Sequence, residues 1–349
     1  MATLPAASSM PTEPTSKRRF PAEWERHEGT WFSWPQNRET WPTGLPETER
    51  ALAEAVRALA GGEQVWLNCL DDDHVRHVRN IVGTDTNISF PVIPTNDAWC
   101  RDHGATFVFE GTERIALDWH YNAWGGKYPP FDLDQKVAGR MATMTGARHV
   151  TVDVTLEGGA LETDGCGTLL TTASCVLNQN RNPGLDLHGA ESLLKEQLGV
   201  DRIVWLEGEL VGDDTDGHID NLVRFTDRKT IVYPVVPEGD VHFTGFTRNR
   251  ELLEANFHDD IRLIALPHPD PVWHEGVRLP ASYMNFYVGN TVVVVPVYGC
   301  PADEEVCASL DALFPDRTVV PIRCTEVIRG LGALHCLSQQ VPSKNLSTT

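Results

Sequence analysis

In this 349-residue chain the residues best suited to chemistry are His218, Asp220 and Cys336. His218 and Asp220 stand two apart, and on a strand the side chains at i and i+2 share a face. An imidazole beside a carboxylate can move protons, with the carboxylate tuning the ring or holding a cationic substrate next to it. A buried histidine hydrogen-bonded to aspartate for packing gives the same spacing. Cys336 follows Gly330-Leu331-Gly332, whose small residues let a substrate approach the backbone, and this makes it the candidate nucleophile. Most lone cysteines are inert buried thiols, so its candidacy rests on the company of His218 and the nearby acids. Gln339 and Gln340 are placed to donate hydrogen bonds beside it. A different chemistry is open as well: His218, Asp220 and His274 would form the two-histidine, one-carboxylate face of an Fe(II) oxygenase. Such enzymes are mostly built on jelly-roll strands, whereas this chain alternates strands with helices.

The elements that must position these residues follow a repeated order, although the residues themselves do not repeat. Residues 104–109 and 114–119 read as a hairpin, followed by a helix over 133–144. The order returns as a hairpin over 159–170 with a helix at 190–198 and a strand at 202–206. It returns again as 218–236, 249–257 and 261–266, and once more as 285–297, 302–313 and 318–322. The N-terminal region supplies a strand at 30–34, a helix at 47–59 and a strand at 64–67. Pairing a closing strand over 334–340 with 30–34 would complete a ring of five units and hide the sheet edges. The predicted class is therefore α/β. Asn96-Asp97, Arg101-Asp102, Glu157-Gly158-Gly159, Asp216 to Asp220 and His335-Cys336 all fall at the openings of these units or on the closing segment. In a ring they would converge on one central place. Trp99 and Trp124 are candidates to wall a pocket for a cation.

Composition narrows the partners. With 29 Lys plus Arg against 49 Asp plus Glu, the net charge is −20, a field that repels nucleic acid and favours a cationic ligand. The apolar run Val292 to Val295 ends at Pro296, far short of the roughly 20 residues of a membrane helix. Residues 1–18 read as a flexible tail without the apolar region of a secretory signal. Residues 19–343 read as one domain and 344–349 as a short C-terminal tail. A cytoplasmic location is expected, and a homo-oligomer is compatible with this composition. The eight cysteines contain no C-x2-C pair, so they read as free thiols and not as a structural zinc site.

Several motifs taken in order carry a family resemblance. They are PAEWE at 21–25, NDAWCRD at 96–102, YNAWGG at 121–126, LEGG at 156–159, NQNRNP at 178–183, DGHIDN at 216–221, SYMNFY at 282–287 and HCLSQQ at 335–340. Together they resemble the agmatine deiminase and bacterial-type peptidyl-arginine deiminase family from about Pro21 to Pro342. The resemblance implies a pentein-type, five-bladed α/β propeller of the guanidino-group-modifying superfamily. It also implies a cysteine nucleophile at Cys336, an acid/base histidine at His218, guanidinium-binding aspartates at Asp97 and Asp220, and a further acid at Glu157. In one respect the chain departs from the family. Agmatine deiminases usually read Gly-Gly-Asn-Ile-His-Cys before the nucleophile, whereas this chain reads Leu331-Gly332-Ala333-Leu334-His335-Cys336.

The residue types suit hydrolysis of a guanidinium group. Its resonance-stabilised carbon is a poor electrophile unless carboxylates such as Asp97 and Asp220 fix its charge and orientation. Cys336 would add to that carbon, His218 would protonate the departing ammonia, and water would hydrolyse the thiouronium left on sulfur. This chemistry calls for no metal and no cofactor. Agmatine is the leading substrate, its amine taken by Glu157 or by the faces of Trp99 or Trp124, and free or peptidyl arginine is the alternative. The product from agmatine would be N-carbamoylputrescine, a precursor in putrescine biosynthesis.

Overall fold

The computed structural model describes residues 17–344, apart from the side chain of Asp259, so the expected tails at 1–16 and 345–349 lie outside the described residues. Lys17 and Arg18, also assigned to the tail, fall inside them, and Arg18–Arg19 pairs as a short strand with Thr106–Glu110. The structure is mixed α/β, and the expected order of elements recurs throughout. The hairpin Thr106–Glu110 and Glu113–His120 leads through the helix Val137–Thr145 to Arg148–Thr155, which lies parallel to the second strand. Glu162–Thr163 and Thr168–Thr172 lead through Leu187–Leu198 to Arg202–Leu206. Arg224–Asp227 and Thr230–Val235 lead through Phe243–Phe257 to Arg262–Pro267. Tyr287–Val288 and Val292–Val297 lead through Ala302–Leu313 to Thr318–Arg323. The fifth sheet joins the chain's two ends: Ser338–Pro342 pairs antiparallel with His27–Ser33, in register Ser338 to Phe32 and Gln340 to Thr30, and the helix Leu45–Ala60 leads on to Gln64–Asn68.

Each unit has this form for a physical reason. Two parallel strands cannot be joined by a tight turn, so a crossover helix carries the chain back over the sheet. Strands covered in this way read as continuous apolar runs, and Val293, Val294 and Val295 are all buried. The helix Leu45–Ala60 has a proline in its first turn, where no backbone donor is lost, and buries Leu52, Val56 and Leu59 on one face. The helix Leu187–Leu198 ends at Gly199 with φ of 71°, and a Cβ there would lie 1.8 Å from the carbonyl oxygen of Arg18. Only glycine fits that position. No helix among the described residues is long and apolar enough to cross a membrane.

The structure corrects the sequence reading at three places. Arg148–Thr155 is a strand the reading omitted. Residues 334–340 are not one strand: Leu334–Leu337 form a helical turn before the strand begins at Ser338. The backbone N–H groups of His335 and Cys336 both donate to the side-chain oxygen of Asn285, which draws them out of any ladder. His218 also lies outside a strand, immediately before the 3-10 turn Ile219–Asn221. Gly217, at φ of 103°, donates its N–H to the Asp213 carboxylate, and that turn sends His218 and Asp220 toward different neighbours.

Beneath these turns Arg224 is fully buried. Its guanidinium donates to Glu162 at 2.9 Å, to Glu23 at 2.8 Å and to the carbonyls of Met284 and Phe286. One cation thereby ties three units and the N-terminal segment together. Removing it strands two buried carboxylates, and breaking such a network costs about 3–5 kcal/mol. Arg224→Met should lose at least about 3 kcal/mol of stability in urea unfolding, far more than the small effect expected at exposed Arg248.

Candidate active site

The candidate site opens into a cavity of about 680 Å³ whose lining includes Asp97, Trp99, Asp102, Trp124, Leu331 and Cys336. Trp99 leads into the helical turn Cys100–His103, which delivers Asp102. Trp124 sits in a turn at φ of 55°, which the Asn122 side chain holds by accepting from the Gly125 N–H, and its indole donates to Asp102 at 3.1 Å. Gly332 is required by closeness, since a Cβ there would lie 2.5 Å from the Trp99 ring and 3.1 Å from the Cβ of Cys336. The two tryptophans therefore wall this space, as expected from the sequence.

Cys336 is buried, and its sulfur is placed by two neighbours. The Asn285 amide donates to Sγ at 3.0 Å, and Oδ2 of Asp220 lies 3.6 Å away. The orientation of Asn285 is fixed, because its Oδ1 accepts from two backbone N–H groups and its Nδ2 also donates to Asn221. Burial, together with the negative charges of Asp220 and Asp102, pushes the thiol well above its usual value, against the pull of the Ala333 backbone and the Asn285 amide. Without a ligand the sulfur is held as a neutral thiol. Asp220 itself stays ionised: burial raises it, but His335, His218 and Arg224 bring it below the ordinary carboxylate value. Its Oδ1 is buried with no hydrogen-bond partner among the described residues.

His218 is fully buried between two acids, with Nδ1 3.7 Å from Asp102 and Nε2 3.7 Å from Glu157. Neither nitrogen has a hydrogen bond among the described residues. Burial favours the neutral ring, yet Asp102, Cys175 and Glu157 together push the imidazole well above its usual value, so it holds its proton. Burial and its neighbouring carboxylates raise Asp102 to about 6, against the pull of His218. The paired glycines of LEGG have a steric cause. A Cβ on Gly159 would lie 2.4 Å from the His218 ring, and one on Gly158 would lie 2.3 Å from the Arg101 carbonyl oxygen.

Of the residues singled out in the sequence, Cys336 and Asp220 meet directly, and His218 stands beside Glu157. Asp97 also lines the cavity, but its carboxylate accepts from Thr40, Asn37 and the Ala98 N–H and makes no contact with His218 among the described residues. The acid at the imidazole is Asp102, five positions on. Glu157 does not line the cavity: Arg181 donates to its Oε1 at 2.6 Å, so it is not placed to take a substrate amine. The iron set is not assembled: the ligand atoms of His218, Asp220 and His274 do not gather at one point among the described residues, and His274 lies on the small hairpin Trp273–His274 and Val277–Arg278. The one set of three His, Cys, Asp or Glu residues among those described that could hold a metal is Glu157, Cys175 and His218. Gln339 donates to Gln340, whose Oε1 also accepts from Arg101, leaving Asn285 as the side-chain donor to sulfur. Asn285 and Asp102 lie inside the motifs SYMNFY and NDAWCRD, where spacing alone does not single them out.

A family model described as Porphyromonas-type peptidyl-arginine deiminase matches residues 19–342. A putative agmatine deiminase of Legionella pneumophila (strain Paris) is 35% identical over 334 residues, 93% of this chain and 95% of that protein. The agmatine deiminase of Pseudomonas aeruginosa (strain UCBPP-PA14) is 35% identical, with the same coverage. Among solved structures, an agmatine deiminase of C. jejuni with substrate bound superposes with a TM-score of 0.87 at 32% identity, covering 93% of this chain and 96% of that one. A dimethylarginine dimethylaminohydrolase, 12% identical with a TM-score of 0.51 over 90% of this chain and 99% of that one, shares the fold alone.

The state of the thiol can be checked in the free protein. Because its folded value lies above the usual one, the neutral form persists to higher pH. Labelling of Cys336 by neutral iodoacetamide should be slow at pH 7 and still be rising beyond pH 9. Chloroacetamidine, which brings a positive charge to the sulfur, should label it much faster at pH 7. A labelling rate that already reaches its plateau at pH 7 would contradict this electrostatic picture.

Proposed function

Since the chain belongs to the Porphyromonas-type peptidyl-arginine deiminase family, we propose that it hydrolyses the guanidinium of agmatine to give N-carbamoylputrescine and ammonia. The observation that carries this reading is the buried thiol of Cys336 beside an ionised Asp220 whose Oδ1 has no donor. A planar cation with N–H groups at both edges satisfies that oxygen and neutralises the charge that raises the thiol. Asp102 supplies the second carboxylate at the floor, and Asp97 is left for the ammonium end. Asp97 is bonded only to neutral donors, whereas the cavity acid Asp214 is already paired with Lys127. The faces of Trp99 and Trp124 cover the methylene chain. The same reading makes residues 19–343 a single domain in which the five units close as a pseudo-symmetric propeller around this site.

In the first half-reaction the guanidinium enters, the thiol gives its proton to solvent in the cavity, and sulfur adds to the central carbon. The Asn285 amide holds the sulfur for that attack. His218, already protonated, gives its proton to the departing nitrogen, the C–N bond breaks and ammonia leaves a thiouronium on Cys336. The neutral imidazole then takes a proton from water as its oxygen adds to the same carbon. Collapse forms the C=O bond and breaks the C–S bond, the hydroxyl proton passes to the departing sulfur to restore the neutral thiol, and the ureido product leaves. Asp102 and Glu157 stabilise the imidazolium before the first proton transfer and after the second.

Free arginine differs by a carboxylate, and Arg38 at the cavity has no ion pair among the described residues. Ammonia release from agmatine, arginine and an arginyl peptide separates these substrates. Turnover is expected with agmatine and unchanged by chelator, and Cys336→Ser should abolish it. Asn285→Asp keeps the acceptor for the two backbone N–H groups but removes the donor to sulfur, so kcat should fall by about 10²-fold or more, the cost of deleting one donor aimed at a reacting atom. Release from arginine alone would overturn the substrate assignment, and release from none of the three would overturn the reaction.

A further inference from the structure

We infer that Glu23 and His335 form a positioning pair that locks Asp220 with one oxygen turned to the thiol and the other presented to the substrate. The two oxygens of Asp220 are unlike. Oδ2 faces Nδ1 of His335 at 2.7 Å and the sulfur of Cys336 at 3.6 Å, while Oδ1 has no partner. Rotation of this carboxylate about its own bond would exchange them. Nε2 of His335 meets Oε2 of Glu23, also at 2.7 Å. Each ring nitrogen thus faces a carboxylate oxygen, so the plane of the ring is set at two points.

Glu23 is itself immobile. Its Oε1 accepts from Arg224 at 2.8 Å and from the Val288 N–H at 2.9 Å, and its Oε2 also accepts from Arg101 at 3.2 Å. Glu23, His335 and Asp220 are all buried. The relay runs from the PAEWE stretch, through the residue preceding the nucleophile, to the acid proposed to grip the guanidinium. Neither Glu23 nor His335 lines the cavity. Their effect on the substrate passes through Asp220.

This inference rests on Asp220 as a guanidinium ligand, and its test separates the two. A hydrogen bond to a charged group carries roughly a ten- to hundredfold effect. His335→Ala should raise the KM for agmatine by about that factor with a much smaller change in kcat, because the grip on the cation is lost and the thiol and His218 stay in place. His335→Asn puts an amide donor near the former Nδ1 and should recover most of the lost affinity. Glu23→Gln, which removes the second anchor and keeps the shape, should fall between them. If the wild-type protein releases no ammonia from agmatine, the functional reading fails. If it does, and the Ala variant keeps the wild-type KM or the Asn variant is as impaired as Ala, the positioning role is wrong. Should the Ala variant fail to fold, a wild-type KM in Glu23→Gln also rules it out.

Discussion

A neutral thiol and an ionised carboxylate share a dry pocket 3.6 Å apart, and the protein holds them there although each makes the other's charge costly. In low dielectric a second negative charge at that distance is unfavourable unless a cation accompanies it. Under the proposed reaction the site would become reactive only when filled, because the guanidinium to be attacked would also bring the charge that permits ionisation of the attacking sulfur. An alkylammonium of the same charge would not serve as well, since it cannot present a planar edge to two carboxylates.

Such an arrangement is stable only because the charges beneath it are balanced. Asp220, Glu23 and Glu162 are interleaved with Arg101, Arg224 and His335, and each buried oxygen other than the free one on Asp220 reaches a donor. A buried ion pair contributes little net stability, but a network with every member satisfied has one geometry. That network uses the two ends of the chain, Glu23 near the start and His335 near the finish. The antiparallel pairing of Ser338–Pro342 with His27–Ser33 brings them together, and the last sheet to be completed in sequence is thus the one that assembles the site.

How much of this was legible in the sequence depended on whether a residue's conformation was set locally. The strand Arg202–Leu206 and the helix Ala302–Leu313 match the sequence reading to the residue, because an apolar run and a helical period are local signals. The turn that carries Cys336 was read as strand because its cause, the side chain of Asn285, is 51 positions away. His218 and Asp220 were paired on one face by a period-two argument, and the glycine at 217 broke it. Asp97 and Asp102 share one short motif, and spacing alone does not distinguish them. The helical turn Cys100–His103 sends the second one under Trp124 and beside His218.

Ala333 stands where agmatine deiminases usually have asparagine, yet the amide at the sulfur is supplied by Asn285, and Ala333 offers only its backbone. The thiol's surroundings therefore do not depend on an asparagine at 333. Leu331 is different. It closes the 3-10 turn Val327–Gly330 at φ of 71°, a left-handed position where glycine fits freely and a leucine costs about 1–2 kcal/mol. Its side chain lines the cavity and packs against the large apolar cluster that includes Trp41 and Trp99. The strain is offset by that burial, and the outcome is a bulkier wall at the mouth than glycine would give. The departure at Leu331 therefore bears on the width of the approach to the sulfur, while Asn285 and Asp220 remain the groups beside it.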